Sequence, residues 1–280
     1  MRRLLVIITV GLLTAGSAAT LPPTRSVAAI ATLVGDYLAT HPTVKRVLRS
    51  GGTSVTLSSC GTGTGSSADL SANLSSDFGE GFSGRLIRTR DGTYFQMPIG
   101  SEVAPGKQFD KISDYYEPYN LLGIRVLAVI ATNLIDGHRA HALLIKAGRV
   151  TAAAIEGDTV ERATGRSTIH YTVRIDVLRA VERLDLAAYI AYTDPMPLAR
   201  RIEEEYAKVR AGDRAAQARL RARIADDLGP SADYELWVDP SGRPVRYVLS
   251  ARKRTEMTFS DWGTCMVETP PSKLVRELKG

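Results

Sequence analysis

Cys60, in the run Leu57-Ser58-Ser59-Cys60, has the residue types of a bacterial lipoprotein-processing site, where the cysteine sulfur takes a diacylglyceryl group. Cys265 is the other cysteine of the chain. Three chemistries are open to Cys60: a lipid anchor, a disulfide with Cys265, or a free thiol. A lipid anchor needs an apolar stretch directly upstream, and residues 44–56, VKRVLRSGGTSVT, are polar and broken by glycines. Two cysteines in an exported chain can pair. A second cluster is His138 and His141, three apart on a predicted helix and able to share a face. A metal site needs a third ligand and oriented outer partners, and none stands at a telling spacing.

His170 follows strand periodicity beside Tyr171 and reads as a surface residue rather than a base. Glu203, Glu204 and Glu205 fall on a solvated helix. The sequence has no Gly-x-Ser-x-Gly elbow, Ser-x-x-Lys motif, Walker loop or dinucleotide fingerprint. TGTGSS, residues 62–67, matches a glycine loop in composition alone. No catalytic residue, metal or cofactor is therefore expected.

The elements that would position these residues follow from pattern. Met1-Arg2-Arg3, the apolar run Leu4–Leu13 and the small residues Ser17-Ala18-Ala19 form an export signal, residues 1–19. The 280 residues are 44% hydrophobic and carry a formal charge of +6, enough apolar material for one medium domain. The positive balance favours anionic surfaces, whether phospholipid, cell-wall polymer or nucleic acid, without choosing among them. Without RNA-binding aromatics, zinc-finger spacing or a basic block, nucleic acid is not an expected partner. Residues 20–76 read as a low-order segment ending in a Gly/Ser tether from 61 to about 76. The folded domain is expected over residues 77–280.

Within it, SGRLIRTR and TYFQMP form a hairpin turning at Asp91-Gly92. Residues 103–112 give a loop and a short strand, and 121–135 an apolar run that fits strand or helix. A helix runs from an Asp136 cap to Gly148. Residues 149–162 read as a hairpin turning at Gly157-Asp158. STIHYTVRID, residues 167–176, alternates as a half-buried antiparallel strand. Residues 177–228 are helical, with stripes Leu198, Ile202, Tyr206, Val209 and Leu220, Ile224, Leu228, broken near Gly212. Strands follow around the Asp239-Pro240-Ser241-Gly242 loop, with Trp237 facing away from Leu236 and Val238. CMVETPP forms a last strand stopped by Pro270-Pro271.

TGRSTIHYTVRID, LWVDPSGRPVRY and TFSDWGTCMVETPP, in that order, resemble the LppX/LprG-type actinobacterial envelope lipoproteins, which share a fold with the LolA carriers. YFQMPIGSEVAPGKQFDKI resembles their early hairpin. The resemblance spans about residues 77–278. It implies an α+β fold: a curved antiparallel half-barrel whose helices cover a concave apolar face. It also implies a lipid or other lipophilic ligand, attachment to the membrane surface through an acylated Cys60, and an extracytoplasmic location, secreted if Cys60 is not acylated. Shared parity on three strands assigns the cavity lining to Ile169, Tyr171, Val173, Ile175, Val245, Tyr247, Leu249, Met257 and Phe259. Two alternatives stand beside the carrier: an envelope sensor or protein-interaction module of the same fold, and a secreted hydrolase.

Overall fold

The computed structural model describes residues 26–50, 53–60, 67–73, 83–96, 107–112, 137–148, 150–161, 166–193 and 200–277. Helix α1 (Val27–Thr40) opens it, capped by the Ser26 hydroxyl, which accepts from the Ala29 N–H at 3.2 Å. Strands β1 (Val44–Ser50), β2 (Thr53–Cys60), β3 (Ser67–Asn73), β4 (Ser83–Thr89), β5 (Gly92–Gln96) and β6 (Phe109–Ile112) follow. Then come α2 (137–147), β7 (Val150–Glu161), β8 (Arg166–Asp176) and four helices: α3 (Val177–Arg183), α4 (Leu186–Thr193), α5 (Arg200–Arg210) and α6 (Arg214–Leu228). β9 (Ser231–Val238), β10 (Pro244–Ser250), β11 (Arg254–Ser260) and β12 (Val275–Glu277) complete the described chain. The strands form one open sheet in the order β12-β6-β5-β4-β3-β2-β1-β11-β10-β9-β8-β7, antiparallel except where β12 runs parallel to β6. This is a mixed α+β architecture.

The alternation read in β8 holds from Tyr171 onward, while before it Thr168 is buried and Ile169 only partly so. Tyr171, Val173 and Ile175 are buried, while Thr172 and Arg174 face outward. Antiparallel register aligns Tyr171 with Leu236, Leu236 with Tyr247, Tyr247 with Met257, and Met257 with Leu48. The next row runs Val173, Tyr234, Leu249, Thr255 and Ser50. Opposed residues of antiparallel strands share a face, so these rows make one apolar layer. Buried residues of α1, α2, α3, α4, α5 and α6 join it in a single cluster. The helices therefore lie on this face. Asp176 caps α3 by accepting from the Arg179 N–H at 3.2 Å, and Asp213 caps α6 by accepting from the Ala216 N–H at 2.9 Å. The expected break at Gly212 is present, with φ at 84° where L side chains are disfavoured. Gly148 lets α2 close on the sheet, since a Cβ there would lie 2.8 Å from Ile175.

Several sequence expectations are corrected. Residues 20–76 are not low-order throughout: α1, β1, β2 and β3 lie within them, and β1 and β2 are central strands. Their Ser and Thr residues alternate with buried Val55, Leu57 and Leu70, so the Gly/Ser/Thr composition hides a strand pattern. Residues 150–161 form one strand, with Gly157-Asp158 falling at a bulge rather than a turn. The β4–β5 turn centres on Arg90-Asp91 with Thr89 opposite Gly92. Only Gly92 has positive φ there, so the turn is not of the type expected. CMVETPP is not a strand; β12 comes later. The expected run at 121–135 and the Asp136 cap lie outside the described residues.

The C-terminal segment crosses the other face of the sheet. Cys60 and Cys265 are joined in a disulfide, with Cα atoms 5.2 Å apart. Val267, Leu274 and Val275 pack on a second cluster of Ile87, Tyr94 and Phe109. The Thr269 hydroxyl donates to Asp91 at 3.0 Å, and Arg276 makes a two-point contact with Asp110 at 2.7 and 2.9 Å.

The disulfide overturns the lipid anchor expected at Cys60. Its sulfur is already bonded, Cys60 is 7% exposed, and cleavage before it would remove β1 and nearly all of β2 from the middle of the sheet.

Candidate functional site

Between the sheet and the helices lies a pocket of about 170 Å³. Leu48, Tyr247 and Leu249 form its floor on β1 and β10, and Thr255 of β11 continues it. Ala140, His141 and Leu144 of α2 form the roof. Tyr189 and Thr193 of α4 and Leu228 at the end of α6 close the sides. The spacing of 140, 141 and 144 puts these three on one helical face. A dry apolar cavity of about 150 Å³ can hold a benzene-sized molecule, so the space is of ligand scale at its lower end.

Of the nine residues assigned to the lining, Tyr247 and Leu249 border this pocket. Tyr171, Val173, Ile175, Met257 and Phe259 are buried in the same layer, with Ile169 packed on it partly buried. Val245 is buried at a bulge between Pro244 and Arg246, where the register shifts. Leu48, Leu144, Leu228 and Thr255 were missed. Leu48 sat in a segment read as low-order; Leu144 and Leu228 have the helical apolar spacing that could have found them.

The layer carries more polarity than the pattern suggested. Arg46, 6% exposed, stands opposite Leu57 and Phe259 on the helix-covered face. Burial pushes the Tyr247 phenol up, and the nearby Arg46 charge opposes that rise. Desolvation of the partly buried Tyr189 and His141 pushes that phenol up to about 12 and the imidazole down to about 4. Both phenols and the imidazole are neutral near pH 7.

The two helical histidines do not converge. His141 stands edge-on to Tyr247, ring centroids 5.5 Å apart, whereas His138 lines a separate cleft of about 310 Å³ between α1 and α2. Among the described residues no group of three His, Cys, Asp or Glu could hold a metal ion.

On the opposite face, His170 stacks on Trp237 at 4.2 Å, and the Arg246 guanidinium lies 4.7 Å over the same indole. Glu235 and Thr172 both approach His170 at Nε2, at 3.1 and 3.5 Å. His170, Trp237 and Arg246 stand opposite one another across β8, β9 and β10, so this group has the form of a cross-strand ladder. Glu205 pairs with Arg219 at 3.2 Å, while Glu203 and Glu204 are exposed. Trp237 thus packs against its own sheet neighbours, partly buried.

No protein-family model matches the chain, and no curated protein matches it. Among solved structures, the Mycobacterium tuberculosis lipoprotein LppX is similar at 13% identity, with a TM-score of 0.38, over 86% of this chain and 98% of LppX. That likeness is loose, and function rests on the chain's own residues.

Proposed function

We propose that this protein is an exported, non-catalytic binding protein that holds a lipid or other lipophilic molecule between its sheet and its helices. One observation carries the reading: the pocket of about 170 Å³ whose floor, roof and side walls are mostly apolar and come from separate layers. Contact with hydrocarbon there needs no reacting group, since each buried methylene contributes roughly 0.8 kcal/mol. Helices packed on a sheet can part without breaking its ladder, so a longer chain can enter by widening this gap.

The paired cysteines support an oxidising compartment, in keeping with the export signal read at residues 1–19. With Cys60 in the disulfide, any membrane attachment must come from elsewhere. Among the described residues no helix is long and apolar enough to cross a membrane. The resemblance of residues 77–278 to lipophilic-ligand carriers points the same way as the pocket. The sensor reading would need an exposed apolar patch, and Trp237, its candidate, is covered by His170 and Arg246.

The test is native mass spectrometry of the oxidised protein purified from its own host, followed by extraction and lipid analysis. A retained apolar adduct of defined mass is expected. Ligand-free protein that also fails to take up added lipid would refute the proposal.

A further inference from the structure

Resting on the lipophilic-ligand reading, we infer that His141 sets the specificity of the pocket, and that the pocket takes an amphiphile whose polar end is an uncharged hydrogen-bonding group, a hydroxyl above all, seated against this imidazole.

Three observations lead there. First, placement: His141 projects from α2 toward the sheet, meets Tyr247 edge-on and borders the pocket beside Leu144. Second, Nδ1 of His141 makes no hydrogen bond and is shut off from the pocket as well as from bulk water, so a ligand meets this partly buried ring at Nε2. Third, the described residues lining the pocket carry no formal charge: its other polar groups are the Tyr189 and Tyr247 phenols and the Thr193 and Thr255 hydroxyls. Burial holds the phenols protonated and the imidazole neutral.

A neutral imidazole offers one donor and one acceptor. A hydroxyl complements Nε2 in either tautomer; an ester carbonyl complements it only as the N–H. An ionised head group would lose its hydration here and find dipoles but no opposite charge on the lining. The nearest competing feature is Arg46, on the same strand as Leu48 and beyond Tyr247, which would favour an anion instead.

The test uses the full, oxidised chain with Nile red as a displaceable dye at pH 7.5. Three eight-carbon probes compete: 1-octanol, 1-chlorooctane and octanoate. The expected result is that 1-octanol displaces dye about fivefold more tightly than 1-chlorooctane, the scale of one net hydrogen bond. In His141→Phe that ratio should fall to about one, and in His141→Gln, which keeps a donor and an acceptor, part of it should remain. Equal affinities in the wild type, or an unchanged ratio in His141→Phe, would overturn the inference while leaving the lipophilic-ligand reading standing. Octanoate binding more tightly than 1-octanol would also overturn it and move the head group to Arg46. If none of the three displaces dye, the lipophilic-ligand reading fails and takes the inference with it. A wild-type ratio of one overturns the inference even if a variant does not fold, and His141→Gln gives the assignment to His141 a second variant should His141→Phe fail to fold.

Discussion

Breaking the Cys60–Cys265 bond should destabilise the fold by an amount set mainly by loop length. The bond joins residues 205 apart in sequence. In the chain-entropy account, closing a loop of that length removes about 5 kcal/mol of denatured-state freedom at 25 °C. Residual structure in the denatured ensemble lowers this, so a measured loss of about 2–5 kcal/mol is expected on reduction or in a Cys60→Ser, Cys265→Ser double variant. At about 2–4 °C per kcal/mol for a chain of this size, the melting temperature should fall by roughly 5–20 °C. The loss has a location too. The strap over Ile87, Tyr94 and Phe109 is held at its far end by β12 and the Arg276–Asp110 contact, so its near end should loosen first. The assay is calorimetric melting with and without reductant, beside alkylation of the denatured, unreduced protein. Labelled thiols in the unreduced protein, or a melting temperature indifferent to reductant and to the double variant, would refute the pairing and return Cys60 to the anchor and free-thiol readings.

Three further outcomes follow from the same geometry. His141 is held near pKa 4 by burial against about 6.5 when unfolded. The unfolded chain therefore takes up a proton that the folded one refuses. Stability should be full above pH 6.5 and fall by at most about 3 kcal/mol toward pH 4. Tyr247, edge-on to it, and Tyr189, in the same pocket lining, stay protonated over that range. His141→Phe should flatten the slope in denaturant titrations at pH 4.5, 5.5 and 7; an unchanged slope would disprove it. Asp239, 5% exposed, accepts from the Ser241 and Arg243 N–H groups, each at 3.0 Å, and pairs with Arg243 at 2.8 Å. Burial alone would raise its pKa, but these donors outweigh burial and hold it below the usual carboxylate range. Asp239→Ala should cost about 2 kcal/mol at pH 7 by leaving those donors unmatched, and an equilibrium unfolding midpoint equal to wild type would contradict this. Leu249→Trp should fill the pocket: bound lipid should be lost while the protein stays folded, whereas a variant that retains lipid and merely melts lower places the ligand elsewhere.

The sheet-to-helix alternation was legible wherever a strand has one buried face and one solvated face. Tyr171, Val173 and Ile175 against Thr172 and Arg174 show it, as do Tyr234, Leu236 and Val238 against Glu235 and Trp237. The Gly212 break was legible from the residue itself, since glycine is a poor helix former and reaches positive φ without strain. The first strands were not. In TSVTLSSC the inward residues are Val55 and Leu57, but the outward ones are small hydroxyls that score as linker, and the final tetrapeptide imitates a processing site. Their partners are remote as well: β1 pairs with β11, joining Arg46 to Phe259 across more than two-thirds of the sequence. No local pattern carries that pairing. Gly157-Asp158 failed for a related reason, since glycine serves a bulge as well as it serves a turn. The pocket was half legible. Strand parity found Tyr247 and Leu249, whereas Leu48, Leu144 and Leu228 reach it through tertiary packing, and His141 was read as half of a pair with His138 that faces another cleft.

The most direct test of the account is photolabelling with an alkyl alcohol bearing a diazirine near the end of its chain, followed by peptide mapping. Saturable labelling on α2 between residues 140 and 144 and on β10 between 247 and 249, competed away by 1-octanol, is the predicted result. Labelling confined to the Trp237 face or to the C-terminal strap, or labelling that no lipophilic competitor reduces, would contradict it.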